Sequence, residues 1–344
     1  MAIDFEMVTL FRAELELCKV KPGETLAVLS EGEIRGDYAQ AFLLAARQLG
    51  AEALQITVPR MASKDGKFLH GRNALSGNRT AIETLKAADI VIDLMGLLFS
   101  PEQEEITATG TRMLLVVEPI EVLRAMFPDT DLRRRVEYGA ELMAKAKVLR
   151  VTSDAGTDVT YGMGAYPVMT EYGYTDEPGR WDHWPSGFLL SQGGDREVNG
   201  RVVLQPGDIN ATFRRYIHAP IALTIREGWV TDIEGDGLDA SLMREYMESF
   251  DDPRAFAVSH IGWGLNQNAK RYHLATSRTL DQEIGVHGLA YYGNVLFSLG
   301  PNTELGGTND TACHTDLPMH GASLFLDGLP IVDRGRIVPE VLRA

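Results

Sequence analysis

The sequence predicts an α/β N-terminal domain with a mostly parallel sheet, followed by a β-rich α+β C-terminal domain that carries a metal site. Three observations predict this. Up to about residue 150, short apolar runs alternate with amphipathic segments, the pattern of a parallel sheet with helices on its faces. Beyond that point helical periodicity fades, and short apolar runs are separated by turn residues. Near the end, Cys313-His314-Thr315-Asp316 sets an imidazole and a carboxylate two residues apart, on one face if the segment is a strand. The expected domains are 1–150 and 151–344.

In chain order, residues 4–18 place Phe5, Val8, Phe11 and Leu15 at steps of three and four, as an amphipathic helix requires. Pro22-Gly23 breaks the chain, and 25–29 reads as a short buried strand. A helix over 37–49 ends at Gly50, whose backbone freedom suits a C-cap. A strand over 53–58 stops at Pro59, residues 60–79 are irregular, and 80–88 is helical. Strands are expected at 90–94 and 113–117, and helices at 119–127 and 130–147. Between them, Ser100-Pro101 supplies an N-cap and a first helical residue. Leu97-Leu98-Phe99 just after the 90–94 strand lies where ligands of open α/β sheets gather. No Gly-x-Gly-x-x-Gly opens a helix after a strand, and there is no Walker lysine motif, so this domain is not expected to bind a nucleotide. In the second domain, strands are expected at 148–152, 201–204, 221–226, 229–233 and 322–326. Glu227-Gly228 is a hairpin signal, and one helix spans 240–250.

Composition narrows the function classes. Of 344 residues, 33 are basic and 48 acidic, a net charge of −15, which argues against nucleic acid or an anionic membrane surface as partner. No apolar run approaches transmembrane length, and the N-terminus does not read as a signal peptide. Two cysteines, far apart, fit a reducing compartment. The expectation is a cytoplasmic, acidic, soluble enzyme.

Three stretches carry chemistry. His314 and Asp316 are half of a metal site that iron(II), manganese or zinc would accept. His260, in Ser259-His260-Ile261-Gly262-Trp263-Gly264, follows an apolar run at 255–258 that reads as a strand, and it offers a third ligand. Two imidazoles and one carboxylate suit a non-haem Fe(II) oxygenase or a hydrolytic zinc, and spacing does not choose between them. The stretch 171–187 packs two of the four tryptophans, His183 and four carboxylates between Pro and Gly breaks, as functional loops do. Cys313 would point to the opposite strand face from His314 and is not counted as a ligand. His70, His218 and His273 read as surface or structural, whereas His287 and His320 are candidates to support the metal ligands from outside.

The stretches 170–187, 259–264 and 313–316, with Tyr292-Gly293-Asn294, Ser298-Leu299-Gly300-Pro301-Asn302-Thr303-Glu304, Ser100-Pro101-Glu102-Gln103-Glu104 and Val117-Glu118-Pro119, resemble the 2,5-dihydroxypyridine 5,6-dioxygenases of bacterial nicotinate degradation. That family is similar in fold to thermophilic-type metallo-aminopeptidases but uses a single Fe(II). The resemblance implies Fe(II) on His260, His314 and Asp316, His183 as acid/base, and Glu171, Ser298 and the position of Phe99 against the substrate. It implies O2-dependent cleavage of the 5,6-bond of a dihydroxypyridine to N-formylmaleamate, in a homo-oligomer. One departure matters: the family has a histidine where this chain has Phe99, which can neither donate a conventional hydrogen bond nor move a proton. A related hydroxylated N-heterocycle is therefore a second candidate substrate. The alternative function is a metallo-aminopeptidase of the related fold, which needs a second metal and further acids, with Glu171, Glu304 and Asp310 as candidates.

Overall fold

A computed structural model describes residues 4–61, 69–279 and 283–344. Residues 62–68, part of the expected irregular stretch 60–79, lie outside the described residues. The chain divides into two compact units, neither continuous in sequence. The first comprises residues up to Pro128 together with Tyr172–Pro185, and the second comprises Asp129–Glu171 and Ser186–Ala344. Set against a single cut at 150, the helix Thr130–Lys145 belongs to the second unit and the segment 172–185 to the first.

The first unit is built on a five-stranded parallel sheet in the order Glu52–Val58, Thr25–Glu31, Ile90–Asp93, Arg112–Leu115, Trp181–His183. Its central strands are apolar at consecutive positions because both faces are covered, and Ile90–Asp93 and Arg112–Leu115 are buried throughout. Ala27, Leu29, Val91 and Met113 join Ile82, Leu85 and Ile106 of the flanking helices in one core. The fifth strand, remote in sequence, enters because Trp184 wedges between Phe11 and Phe127, with ring centroids 5.7 and 5.8 Å apart and near-perpendicular planes. The helix Phe5–Leu17 forms as expected, capped by Asp4, but Phe5 is 84% exposed and Glu14 takes a buried place. Ser100 caps Pro101–Thr107 by accepting the Gln103 N–H.

The second unit has two large antiparallel sheets. One has eight strands in the order Trp229–Glu234, Ile221–Arg226, Val198–Leu204, Asp158–Gly162, Val148–Thr152, Ser323–Leu326, Leu329–Asp333, Arg336–Ile337. The Glu227-Gly228 turn joins its first two strands with positive φ at both residues, as a hairpin of this kind requires. The other sheet has five strands, ordered Thr315–Met319, Val295–Leu299, Val258–Gly264, Phe188–Ser191, Met169–Glu171. The helix Thr130–Lys145 closes onto it at Gly139, where a Cβ would stand 2.8 Å from Leu189 and 3.2 Å from Trp263. On the same helix Arg135 is fully buried, and it donates to Leu265 O, Gln267 and Asp131. Arg135→Met keeps the volume but leaves these acceptors without their donor, so a loss of about 3 kcal/mol is expected from the urea midpoint.

Among the described residues no helix is long and apolar enough to cross a membrane.

Candidate metal centre

The centre is assembled by three neighbouring strands of the five-stranded antiparallel sheet. Asp316 lies across from Ser298 on the pair Thr315–Met319 and Val295–Leu299. On its other side Val295–Leu299 pairs with Val258–Gly264, and there the register shifts between Val258 and Ile261. Ser259 and His260 thus oppose the single residue Ser298, a β-bulge that re-aims the His260 ring. The Ser298 hydroxyl holds the bulge by donating to His260 O at 2.9 Å. The apolar run predicts a strand over 255–258 with His260 at its end. Instead Pro253–Phe256 is a 3-10 turn capped by Asp252, and His260 lies inside the strand.

His314 stands just before the strand Thr315–Met319 rather than within it. Its place is fixed by backbone contacts: Thr212 Oγ1 donates to His314 O at 3.2 Å, and Ala211 N donates to Asp316 O at 3.0 Å. Gly300 (φ +113°) lies so close to this segment that a Cβ would fall 2.0 Å from Cys313 O, so only glycine fits.

The donor atoms of His260, His314 and Asp316 all lie within 4.8 Å of one another. His260 Nε2 is 3.1 Å and His314 Nε2 3.5 Å from Asp316 Oδ1. Ligands about 2.1 Å from one ion and at right angles to each other are roughly 3 Å apart, so these separations suit a common metal. The electrostatics agree. Burial opposes charge on His260, but Asp316 on one ring nitrogen and Glu304 on the other outweigh it and push its pKa up to about 9. Two carboxylates facing one buried imidazole make a negative site that suits a cation. Burial moves His314 the other way, down from its ordinary value, with Asp316 opposing and His260 reinforcing. The residues present therefore fit a divalent metal.

Glu304 has a structural position different from the one expected of it. Its buried carboxylate faces His260 Nδ1 at 3.3 Å, the ring nitrogen opposite the one toward Asp316. It is thus outside the donor triad and orients the ligand instead, a role sequence reasoning missed because nothing in the spacing says which ring nitrogen a carboxylate meets. Asp310 is exposed, and Glu171 accepts a hydrogen bond from Ser186 Oγ at 3.1 Å. Among the described residues the one three-member metal-capable group is His260, His314 and Asp316, which provides for a single metal. Glu304→Gln is expected to weaken metal affinity by about 10–100-fold, measured by chelator competition.

The remaining candidates fall as follows. Ser298 is fully buried with its proton committed to His260 O. His287 accepts the Lys270 N–H at 2.9 Å and stacks on His273 with centroids 3.9 Å apart, and His273 pairs with Glu283 at 2.9 Å, a structural place for His273. The His320 N–H donates to Asp208 at 2.6 Å. In the first unit, Phe99 adopts φ +52° and packs on Trp181 at 4.9 Å and His70 at 6.1 Å between ring centroids. His70 is buried there, in the structural of the two places expected for it. His183 ends the fifth strand of that unit's sheet, 3% exposed. Burial holds its pKa down at about 3.

Comparison with known proteins agrees with this architecture. The family model for NicX, 2,5-dihydroxypyridine 5,6-dioxygenase, matches residues 6–339. A 2,5-dihydroxypyridine 5,6-dioxygenase of Pseudomonas putida KT2440 is 41% identical over 98% of both chains. The solved structure of a 2,5-dihydroxypyridine dioxygenase from the same organism superposes with a TM-score of 0.95 over 98% of both chains. AmpT from Thermus thermophilus, 13% identical, shares the fold with a TM-score of 0.66 over 98% of this chain and 100% of its own. The expected kinship of fold is thus present, and the aminopeptidase alternative gains only the fold from it. The matched length, the identity and the single-metal donor set converge on one conclusion: the chain belongs to the 2,5-dihydroxypyridine 5,6-dioxygenase family.

Proposed function

We propose that this dioxygenase uses Fe(II) to cleave the 5,6-bond of 2,5-dihydroxypyridine, giving N-formylmaleamate. The observation that supports the metal is the convergence of His260, His314 and Asp316, two imidazoles and one carboxylate with no fourth protein donor among the described residues. Bound there, Fe(II) would supply the open coordination and redox chemistry that O2 and an electron-rich ring require. The chain's own work is positioning and proton handling. His260, His314 and Asp316 hold the ion, and Glu304 and the Ser298-held bulge keep His260 aimed. His183, neutral because it is buried, takes a proton from a ring hydroxyl and can return it during ring opening. Glu171, Ser298 and Phe99 are assigned to substrate contact on the strength of the family resemblance. Both oxygen atoms enter the product, so the stoichiometry needs no outside reductant.

Cytoplasmic residence is supported by two buried free cysteines, and a homo-oligomer by the resemblance alone. The test is anaerobic loading with Fe(II), followed by O2 uptake with 2,5-dihydroxypyridine and a panel of other hydroxypyridines. Consumption of O2 in equal amount to the ring, with both atoms of labelled O2 in N-formylmaleamate, is expected. Activity with zinc but not iron would overturn the metal assignment. Faster turnover of another hydroxypyridine would overturn the substrate.

A further inference from the structure

We infer that Asp182 is the positioning residue for His183, acting through the backbone of the 172–183 loop. The inference rests on the acid/base reading of His183. Asp182 is fully buried in the strand Trp181–His183, opposite Leu114 of the parallel sheet. Its Oδ1 accepts three backbone N–H groups: Gly173 at 2.9 Å, Tyr172 at 3.1 Å and His183 itself at 2.8 Å. Its Oδ2 accepts from Arg180 Nη2 at 2.6 Å. One carboxylate therefore joins the first residues of the loop to its last and fixes the peptide that carries the His183 ring.

The surroundings reinforce that role. The Arg180 guanidinium sits 3.8 Å above the Tyr172 ring, so the group that neutralises Asp182 also braces the start of the loop. Gly173, with φ +105°, can turn its N–H toward the carboxylate where other residues would be strained. Thr175 Oγ1 donates to Arg180 O at 2.7 Å, and the Arg180 carbonyl also receives Met113 N at 2.9 Å, tying the loop to the sheet. By contrast, His183 Nε2 is buried without a hydrogen-bond partner among the described residues. That nitrogen gives the ring no orienting bond, so the backbone that Asp182 holds, together with the packing around the buried ring, sets where it sits. A buried carboxylate spent on three N–H groups is a costly device if it only closes a turn. It is well suited to holding a proton-transfer group in place, where a displacement of about 1 Å can cost a hundredfold in rate.

The test is a double-mutant cycle on the Fe(II)-loaded enzyme. Asp182→Asn keeps the shape and removes the charge and one acceptor. In the wild-type background it is expected to lower kcat by about a hundredfold, with KM and iron content changed by less than about threefold. In the His183→Gln background it is expected to change kcat by less than about threefold, because the group it positions is already gone. If Asp182→Asn does not fold, as judged by its thermal melt, Arg180→Gln loosens the same carboxylate from its other side and carries the same expectation. Unchanged kcat overturns the inference, and so does an equal loss in both backgrounds, which would mark a purely structural residue. If His183→Gln alone keeps wild-type turnover, the acid/base reading of His183 has failed, and the inference falls with it for that separate reason.

Discussion

His314→Ala is expected to remove bound iron and, with it, O2 uptake. The loss of metal affinity should exceed the 10–100-fold typical of changes to outer-shell partners, because a donor atom itself is removed. The geometry gives the site little means of repair. Its donors come from two segments, the bulged strand at His260 and the end segment at His314 and Asp316, and both are pinned by backbone hydrogen bonds. The neighbouring Cys313 is buried but outside the donor set, so it cannot readily replace the lost imidazole. Glu304 meets the far nitrogen of His260. Removing His314 also leaves His260 and Asp316 to pair as an ordinary imidazolium and carboxylate, which competes with metal binding. Iron content after anaerobic loading, read beside the thermal melt, checks this. Full iron occupancy in a folded His314→Ala protein would refute its assignment as a ligand.

The cluster of His260, His314 and Asp316 was legible because His and Asp two residues apart suggest a shared face, and a second histidine lies upstream at a glycine-rich strand. The geometry that makes it work was not. The bulge at Ser259–His260 is a matter of two residues opposing one, and no local pattern at Val258–Gly264 states which partner residue will be skipped. The 3-10 turn at Pro253–Phe256 did leave a signal, Asp252 before Pro253, but the apolar run through 255–258 outweighed it in a reading by periodicity. The parallel strands of the first unit were readable as apolar runs between helices. The fifth was not, since Trp181–His183 is three residues long and its register partner, Met113–Leu115, is set by tertiary packing. Phe5 shows the converse error. It fits the helical stripe, yet it sits at the helix start beyond the reach of the core, while Glu14 occupies a buried position that no hydrophobic count would assign to it.

His183→Gln is expected to lower kcat by about 10²–10⁴-fold while iron content stays near that of the wild type, since general acid–base groups contribute on that scale. Burial keeps the imidazole neutral throughout the physiological range, with its pKa held down at about 3, so it enters the reaction in the proton-accepting form but as a weak base, and charge brought by the bound substrate must raise that value for the transfer. The same burial has a thermodynamic signature. The unfolded chain binds a proton at this histidine near pH 6.5, whereas the folded chain resists it until about pH 3. The folded-state pKa is depressed, so the stabilisation from keeping this ring neutral is fully present above about pH 6.5. It is lost as pH falls from there toward 3, by about 1.4 kcal/mol per pH unit. His183→Gln has no such proton to gain on unfolding, so its urea midpoint should fall less steeply than the wild type's over that window. The two measurements separate cause from consequence. A flattened stability profile with unchanged kcat would leave His183 a buried structural histidine, whereas loss of turnover together with the flattened profile ties the proton-accepting role to the burial that makes it available.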